Sequence, residues 1–105
     1  MMLSFEMANL YPASTGLPMT VWVSPRDGAR HDALVRVSAV YGRSMDIGIA
    51  AVVRIRPSPH VIHGHLTPAD RSVVENWIRR NETALLDHWD GKIDAAQLAT
   101  RLVKV

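Results

Sequence analysis

The sequence predicts an α+β domain, an antiparallel sheet of three to four strands covered on one face by a long helix over about 68–90 and a short C-terminal helix over about 95–104. Three observations predict it. Apolar residues alternate with period two from Pro18 to about Arg56, the period becomes helical at Thr67, and the breaks between segments fall at Pro, Gly and Asp.

Residues 1–17, "MMLSFEMANLYPASTGL", show neither period and end in a Pro/Ala/Ser/Thr/Gly cluster, the pattern of a flexible N-terminal arm ahead of a single domain over 18–105. Met7 and Met19 are alternative starting residues. "MTVWVS" sets Val21 and Val23 against Thr20 and Trp22 and makes a first strand, and "SPRDGARHD" supplies the Pro, Asp and Gly of a turn. "ALVRVSAVYG" places Ala33, Val35, Val37 and Ala39 on one face, with Leu34, Arg36, Ser38 and Val40 on the other. "DIGIAAVVRIR" sets Ile47, Ile49, Val53 and Ile55 opposite Asp46, Gly48, Arg54 and Arg56. Pro57 and Pro59 interrupt the ladder, because proline has no N–H to donate, and "HVIHGHL" reads as a short fourth strand with Ile62 and Leu66 facing the core.

Thr67 is then an N-cap, Pro68 suits the first helical position, and Asp70 completes a capping signal. Val74, Trp77, Ile78, Leu85 and Trp89 form one stripe that should pack on Val35, Val37, Ile47, Ile49, Val53 and Ile55. Gly91 fits the position that ends the helix. Asp94 caps the last helix with Gln97 at its third position, Ile93 and Leu98 stand at the two positions of a hydrophobic staple, and Leu98 and Leu102 face inward.

With 105 residues, 48% of them hydrophobic, the chain can bury one modest core. Zero cysteines exclude a disulfide framework, a thiolate zinc site, an iron–sulfur cluster and a cysteine nucleophile, and are compatible with a reducing cytoplasm. No Lys or Arg precedes Arg26 and Glu6 interrupts the first apolar run, so the start fails as a signal peptide; no apolar run approaches the roughly 20 residues of a membrane helix. The expectation is a soluble cytoplasmic protein without a membrane partner. Charge is unevenly spread: residues 24–60 carry six arginines against three aspartates, whereas residues 67–105 carry six of each sign.

Residues 62–89, with Ile62-x-Gly64-x-Leu66 followed by Trp77, Leu85, Leu86 and Trp89, resemble a family of small bacterial domains of unknown function from toxin–antitoxin-like gene pairs. That resemblance implies a protein that works through a partner and brings no reaction with it. The family's Pro-Pro-His-x-His element is replaced here by "GARHDALVRV", which retains His31 alone.

Three groups of residues are candidates for function. His63 and His65 stand two apart, which on a strand puts them on one side about 7 Å apart, a spacing at which they can share a zinc ion if His31 or His88 supplies a third ligand. The other reading of the same pair is a polar strand face. Asn81 and His88 interrupt the apolar stripe of the long helix and, with Trp77, are candidates for a small pocket; the alternatives are backbone hydrogen bonds for Asn81 and a helix-end position for His88. Trp22, Arg36, Arg54 and Arg56 share the side of the sheet opposite the main apolar rows, a composition suited to a protein partner, a homodimer contact or single-stranded nucleic acid. G-x-S-x-G, Walker, G-x-G-x-x-G and H-E-x-x-H motifs are all missing, and the glutamates are only Glu6, Glu75 and Glu82. The expected function is therefore a non-catalytic protein-binding module without cofactor, with a nucleic-acid binder and a zinc-dependent hydrolase as alternatives.

Overall fold

Valine-rich segments bounded by turn residues pair with their neighbours in sequence, and the result is a meander. A computed structural model of the chain describes residues 8–26, 28–46 and 48–105. The elements are β1 (Ala8–Leu10), α1 (Pro12–Thr15), β2 (Met19–Val23), β3 (Leu34–Tyr41), β4 (Ala51–Arg54), β5 (His60–His63), α2 (Pro68–Trp89) and α3 (Ala95–Arg101). All strands join one antiparallel sheet in the order β1-β2-β3-β4-β5. The fold is α+β with a long and a short C-terminal helix, but the sheet has five strands, not three to four.

The additional strand comes from the segment read as an arm. Ala8 lies opposite Val23 and Leu10 opposite Val21, and Leu10 and Leu17 are only 3% and 1% exposed. Three residues are too few to display a period, so alternation could not reveal a strand that an already formed neighbour templates. Residues 1–7, Asp27 and Ile47 lie outside the described residues.

Val21, Val35, Val37, Ala51 and Val53 are fully buried on one face of the sheet. They belong to one core cluster with Val74, Trp77, Ile78, Leu85 and Trp89 of α2 and Leu98 of α3. Ile55 joins them, as its spacing predicts. Ile49 does not, and at 58% exposure it corrects the expected register. The Asp46 carboxylate accepts the Gly48 N–H at 3.0 Å and the Asp46 carbonyl accepts the Ile49 N–H at 3.1 Å. These local bonds place Gly48 and Ile49, which alternation assigned to a strand, in a turn, and β4 begins only at Ala51.

Helix α2 starts at the Thr67 cap, whose hydroxyl accepts the Asp70 N–H at 3.2 Å. Its other end carries the two bonds of a Schellman motif, Lys92 N–H to the Asp87 carbonyl at 2.8 Å and Gly91 N–H to the His88 carbonyl at 3.1 Å. Gly91 has φ +76°, which a side chain would disfavour. Helix α3 has the full Asp94/Gln97 capping box, but it stops at Arg101 instead of about 104. Beyond it, Asn81 claims the backbone: its Oδ1 accepts the Val103 N–H at 2.7 Å and its Nδ2 donates to the carbonyls of Val103 (3.0 Å) and Trp77 (2.9 Å). Val105 N–H donates to the Thr15 carbonyl at 3.0 Å, so residues 102–105 run as an extended strap from α2 to the end of α1.

Two outcomes in urea denaturation follow. Leu10→Ala is expected to cost about 2–5 kcal/mol, the range of a buried leucine, whereas an arm would leave stability unchanged. Asn81→Ala is expected to cost about 1–3 kcal/mol by leaving strap backbone groups unpaired.

Candidate binding face

Because side chains alternate across a strand, the residues between the buried valines all reach the opposite side of the sheet. Pairing aligns them in one row across the five strands: Asn9 opposite Trp22, Trp22 opposite Arg36, Arg36 opposite Val52, and Val52 opposite His63. Beside this row Arg54 lies opposite Leu34 and His60. Trp22, Arg36, Val52 and Arg54 are half-buried, and Asn9, His60 and His63 are exposed.

Two arginines lie over aromatic rings on this side of the molecule. The Arg36 guanidinium is 5.9 Å from the centroid of its cross-strand neighbour Trp22, and that of Arg43 is 3.9 Å from the Tyr11 centroid. Tyr11 precedes α1, and Arg43 sits in the loop after β3, which Thr20 pulls in by donating its hydroxyl to the Gly42 carbonyl at 2.7 Å. Asn9, Tyr11, Thr20, Trp22, Arg43 and Met45 together line a shallow recess of about 420 Å³. Sequence reasoning missed Asn9, Tyr11 and Arg43. The first two lie in the supposed arm and the third in a loop, so no periodicity marked them.

The charges are segregated. Asp90, Glu75 and Asp87 of α2 and its cap pair with Arg26 (3.1 Å), Arg79 (3.9 Å) and Arg101 (2.8 Å). Among the described residues no carboxylate pairs with Arg36, Arg43 or Arg54. The Nε–H of Arg54 is buried without an acceptor among them. Arg56 differs from its three neighbours. Its Nε and Nη2 grip Asp32 at 2.9–3.2 Å, so its donors are committed within the fold. That guanidinium, helped by the Ala33 N–H, lowers the Asp32 carboxyl from 3.8 to about 2.

The histidines are arranged differently from the expectation. A bulge between Val52 and Val53 leaves Ile62 as the extra residue of β5, so Val61 faces Val53 while Ile62 is 51% exposed instead of packing in the core. The strand ends at His63. Gly64 follows at φ +79°, where a Cβ would stand 2.9 Å from the Ala51 Cα, and the chain turns before His65. His63 and His65 are both exposed but do not share a strand. Among the described residues no group of three or more His, Asp or Glu side chains is placed to hold a metal ion.

The pocket candidates are engaged in different places, although Asn81 is bonded to the Trp77 carbonyl one turn back. Trp77 is fully buried, Asn81 holds the strap, and His88 lines a recess of about 330 Å³ with Pro25, Lys92 and Gln97 among others. No helix among the described residues is long and apolar enough to cross a membrane. The chain matches no protein-family model, no curated protein and no solved structure.

Since the Asp32 carboxyl is more acidic folded than unfolded, its pairing stabilises the fold above pH 3.8 and is lost as pH falls through about 2. Asp32→Asn is expected to flatten that acid limb: melting temperatures of variant and wild type should differ near neutrality and converge near pH 2.

Proposed function

We propose that this protein is a non-catalytic binding module that meets a protein partner through the open face of its sheet. One observation carries the reading: Arg36, Arg43 and Arg54 gather on that face with Trp22 and Tyr11, while carboxylates pair with cations elsewhere. Arginine and aromatic residues are the types that carry most binding energy in protein interfaces. Arginines already held near rings lose less side-chain entropy on association. Arg56 contributes by neutralising Asp32, which would otherwise place a bare carboxylate at the edge of a basic face.

The resemblance over residues 62–89 suggests a setting, a bacterial toxin–antitoxin-like gene pair in which the partner is the protein encoded beside this one. Gly64 and Leu66, which carry part of that resemblance, have structural duties here, a close approach to β4 and a place in the core.

Capture of the tagged chain from its host, with mass spectrometry of what co-purifies, tests the reading. A stoichiometric protein is expected with wild type. Capture should fall about tenfold for Trp22→Ala with Arg36→Ala, and stay unchanged for Arg79→Ala on α2. Equal capture by all three proteins would overturn the surface assignment.

A further inference from the structure

We infer that the recess between Tyr11 and Trp22 is an anchor site for an acidic peptide segment, whose carboxylates are taken by the guanidinium edges of Arg43 and Arg36. This rests on the open face being the binding surface and assigns the chemistry of what it binds.

The state of the rings decides between acidic peptide and nucleic acid. Single-stranded nucleic acid is held by bases stacked on free aromatic faces. Here Trp22 lies under Arg36 at 5.9 Å and Tyr11 under Arg43 at 3.9 Å, so a base would first have to displace an arginine. A guanidinium held over a ring by cation–π attraction still carries N–H donors, and these suit a planar acceptor such as a carboxylate. Among the described residues no hydrogen bond or ion pair occupies these donors in Arg36 or Arg43, and no carboxylate lines the recess.

Size and charge point the same way. About 420 Å³ accommodates one or two side chains, not a run of nucleotides. The whole chain carries a net charge of only +2, well short of the basic track that phosphate backbones select. The positive charge is local, because the helical half is internally neutralised, and a local basic patch complements a short acidic segment. Asn9, exposed at the rim beside Trp22, adds an amide that can donate to and accept from peptide backbone.

The test is a random-peptide display selection on the full chain, followed by anisotropy titration of the enriched peptides and of a labelled oligo-dT. The inference predicts enrichment of Asp and Glu, affinity that falls with salt, and about tenfold weaker binding to Arg43→Gln, with Arg79→Gln unchanged and both variants melting like wild type. Enrichment of uncharged peptides that lose affinity with Trp22→Ala would overturn the acidic anchor and leave the face standing as a binding surface. Oligo-dT binding that depends on Arg43, without binding of acidic peptides, would replace the protein partner with nucleic acid. Peptides indifferent to Trp22, Arg36 and Arg43, or no enrichment, would overturn the inference together with the surface it rests on.

Discussion

Packing of α2 against the valine face of the sheet is the interaction on which the rest of this structure depends. Trp77, fully buried at the centre of the helix, removes roughly 150–250 Å² from water, about 4–6 kcal/mol of transfer free energy. Its indole N–H and that of Trp89 are buried without acceptors among the described residues, at about 1–3 kcal/mol each. The apolar term exceeds that cost, which is why tryptophans with idle donors can sit in this core. The small inward residues of the sheet, valines and Ala51, make room for the bulky helix stripe.

One long helix covers only one side of a five-stranded sheet, and the other side must be compatible with water by its own means. Here the means are arginines laid over rings and beside aliphatic residues, so that side chains rather than a second layer shield the apolar surface. The same arrangement fixes long basic side chains in place. Arg54, sitting opposite Leu34, is the extreme case, since its Nε–H finds no acceptor among the described residues. The open face is thus a consequence of the helix count, and its chemistry a consequence of having to be open.

What was legible in the sequence was whatever repeats. Val21, Val35, Val37 and Val53 announced their face by alternation, Trp77 and Leu85 theirs by helical spacing, and both helix starts were set by local capping chemistry at Thr67 and Asp94. What failed to show was whatever depends on a single residue or a remote partner. Ile49 kept the alternation but lost the strand to Asp46's turn bonds, and one bulge residue moved Ile62 from inside to outside. The candidate site divides along the same line. Trp22, Arg36 and Arg54 were found because they interleave with the core pattern, while Tyr11 and Arg43 meet only through a helical turn and a Thr20 hydrogen bond more than twenty residues away in sequence. Asn81 was visible as an anomaly in an apolar stripe, but its partner Val103 was not.

Every strand in the sheet lies beside the strand that precedes or follows it in the chain, and no connection crosses over another. Loop closure in such a topology joins segments close in sequence, where the entropic barrier is smallest. The sheet can therefore grow one hairpin at a time, and no strand has to insert between two already paired. The pairings reach across the loops between neighbouring strands, as in Met19 opposite Tyr41 or Leu34 opposite Arg54, and the widest separations, such as Val105 to Thr15, enter when α2 docks and the strap closes. The order of the chain is thus also the order in which the sheet can be built, from either end or from any hairpin outward.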